Sequence, residues 1–87
     1  MIQKDVTIIN YGGLHARPAT LFIQKANSYK CSVWVVKDER KVNAKSLLGV
    51  LSLGIAQGMT VTLVADGEDE KKALEGLETL ISSGLSE

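Results

Sequence analysis

The chain has 87 residues, 45% of them hydrophobic and 23% charged, with one proline, one cysteine and a formal net charge of zero. That length suits one domain, residues 1–87, and the composition is globular, neither disordered nor collagen-like. A lone cysteine, Cys31, excludes an internally stapled secreted mini-domain; no apolar run nears the roughly 18–20 residues of a membrane span, and no basic-then-apolar leader opens the chain. A cytoplasmic monomer without membrane insertion is expected. The charge is unevenly placed: residues 1–45 sum to +5 and residues 46–87 to −5. Two solvated faces of opposite sign explain this, as does a basic half that steers an acidic partner.

Residues 2–9 alternate, with Ile2, Val6 and Ile8 on one face and Lys4 interrupting, which predicts a half-buried strand. Asn10-Tyr11-Gly12-Gly13 is loop by its turn chemistry. Ala19, Phe22, Ile23 and Ala26 then follow helical spacing, with Pro18 in the first turn, so a helix is predicted from about residue 16 to Asn27-Ser28. Val33 to Val36 are β-branched and aromatic and predict a strand over roughly residues 32–37. Asp38-Glu39 turns the chain into a returning strand, Arg40 to Asn43. The apolar run from Leu47 to Leu53, with Gly49 inside and Gly54 after it, predicts a short helix with Ser46 as N-cap. Thr60 to Asp66 alternate as a fourth strand. Glu68, Asp69 and Glu70 load the start of a last helix with anions; its stripe is Ala73, Leu74, Leu77, Leu80 and Ile81, and Gly84 stops it. The order βαββαβα predicts an α+β fold, an antiparallel sheet covered on one face by helices.

The only histidine, His15, stands just before the first helix, behind a glycine pair. By itself such a residue reads as a surface cap. Its surroundings favour chemistry: a helix N-terminus offers unpaired N–H groups and about half a positive charge to an anion. Arg17, one of two arginines, brings a planar fork suited to phosphate oxygens. Together they suit a phosphoryl group held covalently on the imidazole. The stabilisation would be modest, on the order of 1 kcal/mol at an exposed helix end, which suits a group that must be passed on. One His and one Cys cannot fill a tetrahedral metal site, no GxxxxGK[ST] nucleotide loop is present, and no cofactor is expected.

Gly13-Leu14-His15-Ala16-Arg17-Pro18-Ala19-Thr20 resembles the phosphohistidine signature of the HPr family, the histidine-containing phosphocarriers of the bacterial phosphoenolpyruvate:sugar phosphotransferase system. The stretch from Val42 to Gly54, with Lys45-Ser46-Leu47-Leu48-Gly49, resembles that family's regulatory serine segment. The likeness spans essentially the whole chain. It implies an open-faced β-sandwich, four antiparallel strands under three helices, and a covalent relay, not an enzyme that turns over alone. His15 would accept phosphate on Nδ1 from phosphorylated enzyme I and pass it to enzyme IIA domains. Arg17 and the backbone N–H groups of Ala16 and Arg17 would hold the phosphoryl group. Leu47, Leu48 and Leu51 would form an exposed docking patch, with Thr20 and Phe22 near it.

Ser46 alone reads as an ordinary N-cap. The resemblance implies that an HPr kinase/phosphorylase phosphorylates it and that the product serves a catabolite control protein in carbon catabolite repression. A regulatory sibling of the family carries glutamine at the active histidine and cannot act in sugar transport; His15 excludes that sibling role here. Leu48 and Leu51 stand where many Gram-positive members have methionine. Two rival classes remain: a regulatory domain acting through Ser46 alone, and an α+β nucleic-acid-binding module. The second is disfavoured by zero net charge and by the single Phe placed on a helix. Trp34 reads as sheet packing or a surface aromatic, and Cys31 as a small apolar strand residue.

Overall fold

The computed structural model describes residues 1–85; Glu87, counted above with the acidic half, lies outside them. The elements are β1 (Ile2–Thr7), α1 (Ala16–Asn27), β2 (Ser32–Lys37), β3 (Arg40–Asn43), α2 (Leu47–Ser52), β4 (Thr60–Asp66) and α3 (Glu70–Ser82). The four strands form one sheet in the order β1-β4-β2-β3, and every neighbouring pair is antiparallel. No helix among the described residues is long and apolar enough to cross a membrane.

Alternation along the central strands decides which sheet face is covered. Val33 and Val35 of β2 and Val61, Leu63 and Ala65 of β4 are buried, joined by Ala19, Phe22 and Ala26 of α1, Val50 of α2 and Ala73, Leu74, Leu77 and Ile81 of α3. The helices therefore cover this one face. The opposite face carries Trp34, paired in register with Val64 and Asn43. Lys41 Nζ sits 4.4 Å from the centre of the Trp34 ring, a cation–π contact on the side without helices.

The first strand is shorter than its alternation predicts, ending at Thr7 instead of residue 9. Ile8 leaves the ladder but stays paired with the loop before β4: its N–H donates to the Met59 carbonyl at 2.9 Å and its carbonyl accepts from Gly58 N–H at 2.7 Å. The interrupting Lys4 lies in β1, and its ammonium meets Glu78 of α3 at 2.6 Å. Ile2, predicted on the buried face, is 36% exposed at the sheet edge.

The acidic start of α3 is used differently from the expected helix cap. Asp69 occupies the N-cap position but makes no side-chain cap bond. Its carboxylate instead accepts the backbone N–H groups of Lys30 at 2.8 Å and Cys31 at 2.9 Å, tying the chain between α1 and β2 to α3. Those donors, the Lys30 amide foremost, hold the Asp69 carboxyl below the usual carboxylate range. Glu70 serves the helix start by accepting the Gly67 N–H at 3.1 Å. Cys31 lies just before β2 and is buried; burial first, then Asp69, pushes its thiol up to about 11. Gly84, at φ +82°, ends α3: its N–H reaches the Ile81 carbonyl and that of Leu85 reaches the Leu80 carbonyl, both at 3.0 Å. That is a Schellman closure, with Leu85 buried as its apolar contact.

Candidate functional site: an exposed histidine at a helix mouth

The loop that presents His15 is shaped by two glycines. Gly12 and Gly13 have φ of +84° and +65°, values that side chains disfavour. Gly13 is clasped by Asn10, whose carbonyl accepts the Gly13 N–H at 3.1 Å and whose Nδ2 donates to the Gly13 carbonyl at 2.8 Å. Leu14 N–H then bonds the Ile55 carbonyl at 3.0 Å, and Gln57 Nε2 reaches the Ile9 carbonyl at 3.1 Å. A Cβ at Gly13 would run into the Ile55 carbonyl oxygen and stand 2.6 Å from Ala56 Cα. The close approach of two backbones thus fixes the loop.

His15 is the N-cap residue of α1, in extended conformation with φ −89° and ψ −169°, and its side chain is exposed. The imidazole makes no cap bond to its own helix. Its Cδ2–Nε2 edge lies over Gly12, since a Cβ there would stand 2.8 Å from Cδ2 and 3.0 Å from Nε2. The Nδ1 edge faces the other way.

The His15 carbonyl accepts the Ala19 N–H at 2.8 Å, and Pro18 has no N–H to offer. The amides of Ala16 and Arg17 have no acceptor among the described residues. Two unpaired donors therefore stand at the positive end of a 12-residue helix beside an imidazole that does not use them. No acidic side chain occupies this first turn. Arg17 is exposed and has no ion pair or hydrogen bond among the described residues, so its guanidinium is available to an anion. The arrangement can receive a small multiply charged oxyanion. No group of three or more His, Cys, Asp or Glu side chains suited to a metal ion occurs among the described residues.

Ser46 caps α2, its Oγ accepting the Gly49 N–H at 3.1 Å. Leu48 is 82% exposed and Leu47 43%, whereas Leu51 is half-buried against the core. Thr20 is exposed, and its hydroxyl already donates to the Ala16 carbonyl at 2.8 Å. Phe22, expected near the docking patch, has no exposed surface; it is core, as its place in the helical stripe requires. Sequence reasoning took Asn10 to Gly13 only as a loop and missed the Asn10 clasp and the 91% exposure of Tyr11. The run of turn formers signalled a tight bend, but which backbone it would meet was not encoded locally.

Residues 2–83 match the family described as the PTS HPr component phosphorylation site. The chain is 48% identical over 81 residues to the HPr-like protein Crh of Bacillus subtilis, covering 93% of this chain and 95% of that one. It is 40% identical over 87 residues to phosphocarrier protein HPr of Neisseria meningitidis, covering 100% and 98%. A crystal structure of HPr from Thermoanaerobacter tengcongensis superposes with a TM-score of 0.97 at 48% identity, covering 100% and 98%. The chain belongs to the HPr family of the phosphotransferase system, whose members are phosphocarriers and not themselves enzymes.

Proposed function

We propose that this chain carries phosphate on His15 Nδ1 in the cytoplasm, taking it from phosphorylated enzyme I and giving it to enzyme IIA domains. The observation that carries the reading is the pairing of an exposed, uncommitted imidazole with two unpaired amides at the mouth of α1. In the transfer, the Nδ1 lone pair forms a new P–N bond while the donor's bond to phosphorus breaks and its electron pair leaves with the donor. Nε2 keeps its proton. The phosphoryl oxygens meet the Ala16 and Arg17 amides and the Arg17 guanidinium, preorganised donors of modest strength. Passing the group on is the same step reversed toward an acceptor, so weak stabilisation serves the relay. Leu47, Leu48, Leu51 and Thr20 supply the docking surface in this reading.

The test is incubation with phosphoenolpyruvate and enzyme I, followed by intact mass. One acid-labile phosphate, absent from His15→Ala, is expected. No adduct on the unaltered chain sinks the reading.

Ser46 is proposed as a regulatory phosphorylation site for an HPr kinase/phosphorylase, its product serving a catabolite control protein. Phosphate at an N-cap adds negative charge at the positive helix end, so α2 tolerates it while the surface beside Leu47 and Leu48 changes sign. Docking of acidic partners should weaken. Equal rates of enzyme I transfer to the unmodified and Ser46-phosphorylated forms would overturn this.

One observation favours a second reading, a regulatory domain acting through Ser46 alone: the 48% identity to a protein named Crh. That reading predicts that His15→Ala leaves every activity intact.

A further inference from the structure

We propose that Tyr11 is a docking residue of the relay, its ring seating in an apolar pocket on the protein that donates phosphate to His15. The inference rests on the phosphocarrier reading above and adds one contact to it. Position comes first. The Gly12 backbone lies against the imidazole, with the Cβ position 2.8 Å from His15 Cδ2. One Cα step separates Gly12 from Tyr11, so the Tyr11 backbone lies within about 8 Å of the ring. Transfer between two proteins brings the donor phosphorus to within about 3–3.5 Å of Nδ1. A specific interface covers about 800 Å² on each partner, a disc of roughly 16 Å radius. A footprint of that radius centred on His15 reaches the Tyr11 backbone.

Exposure and rigidity supply the energy. Tyr11 is 91% exposed, more than any other large hydrophobic residue described, and it has no ring contact or hydrogen bond among the described residues. Scattered exposed apolar residues are ordinary, but this one is presented by a braced loop. The Asn10–Gly13 clasp and the bond from Gln57 to the Ile9 carbonyl hold the backbone on both sides of it. Because the flanking backbone is already bonded, ordering on contact is confined mainly to the side chain, and tyrosine brings a large contact area through only two side-chain torsions. Its hydroxyl needs an acceptor once buried. The partner pocket is therefore apolar along its walls and carries a hydrogen-bond acceptor at its base.

The test compares the unaltered chain with Tyr11→Ala and Tyr11→Phe, using two phosphoryl donors: phosphorylated enzyme I and phosphoramidate, a small donor that needs no docking surface. Tyr11→Ala should lower the ratio of enzyme I rate to phosphoramidate rate about tenfold, expressed as a higher KM for enzyme I. Tyr11→Phe should lower it by a smaller factor, about threefold, through loss of the hydroxyl bond. An unchanged ratio in Tyr11→Ala, with normal transfer to the unaltered chain, overturns the docking role alone. An equal fall with both donors also overturns it, because the ring would then act on the imidazole. If the unaltered chain takes no phosphate from enzyme I, the carrier reading fails and the docking role fails with it.

Discussion

Arg40 and Ser52 are bonded twice: Nη1 donates to the Ser52 carbonyl at 2.8 Å and Nη2 to its Oγ at 3.1 Å. Lys37 Nζ adds a bond to the Leu53 carbonyl at 3.4 Å. The β2–β3 hairpin thus places two cations at the C-terminus of α2, where the dipole and the last carbonyls favour them. A six-residue helix with Gly49 inside it is too short to persist unaided. Arg40→Met should cost about 1 kcal/mol and speed amide exchange in residues 50–53 more than in α1, as measured by hydrogen exchange.

Ser46 closes the other end of α2. Ser46→Ala removes the acceptor of the Gly49 N–H and should cost about 1 kcal/mol in urea unfolding. Ser46→Asp keeps an acceptor at the cap and should unfold within a few tenths of a kcal/mol of the unaltered chain.

Gly12→Ala places a methyl group against the His15 ring at a backbone φ of +84°. The imidazole must turn away, so phosphorylation at His15 should slow at least tenfold while stability falls by only about 1–2 kcal/mol. Gly13→Ala meets backbone atoms that cannot yield and should destabilise more. Parallel thermal melts and phosphorylation rates separate the two.

Asp69 links stability to acid. Its folded pKa is depressed, so its contribution is fully present above the unfolded value of about 3.9 and fades as pH falls through the lower folded value. Asp69→Asn should lower Tm at pH 7 and converge with the unaltered chain at the acid end. Melts between pH 2 and 7 check this; parallel curves throughout would remove Asp69 from the account.

Cys31 works at the alkaline end. Its thiol is raised from 9.0 to about 11 in the fold, so stability is complete below pH 9 and declines as pH rises toward 11. At pH 8, iodoacetamide should label the native protein slowly and the guanidinium-unfolded protein fully.

Much of this was readable from the chain because period and caps are local properties. Thr60 to Asp66 alternate and form β4, and Ser46 precedes an apolar run and caps α2. His15 stands at the N-cap because Pro18 and the helical stripe locate the first turn. What escaped depends on chain segments meeting across long separations. Asp69 looks like a helix cap until its carboxylate is seen on amides 38 and 39 residues away. Arg40 looks like hairpin charge until it reaches α2. Phe22 satisfies the helical stripe, and its burial follows from that periodicity, while the resemblance had drawn it toward the surface patch.

The one tryptophan gives the protein a built-in fluorophore, seated beside the Lys41 ammonium on the sheet side that bears no helix. Its emission senses the β2–β3 hairpin and the integrity of the sheet, but it is screened by the strands themselves from whatever lands on the helical side. Intrinsic fluorescence will therefore follow unfolding, so stability can be titrated optically in the presence of a non-fluorescent partner.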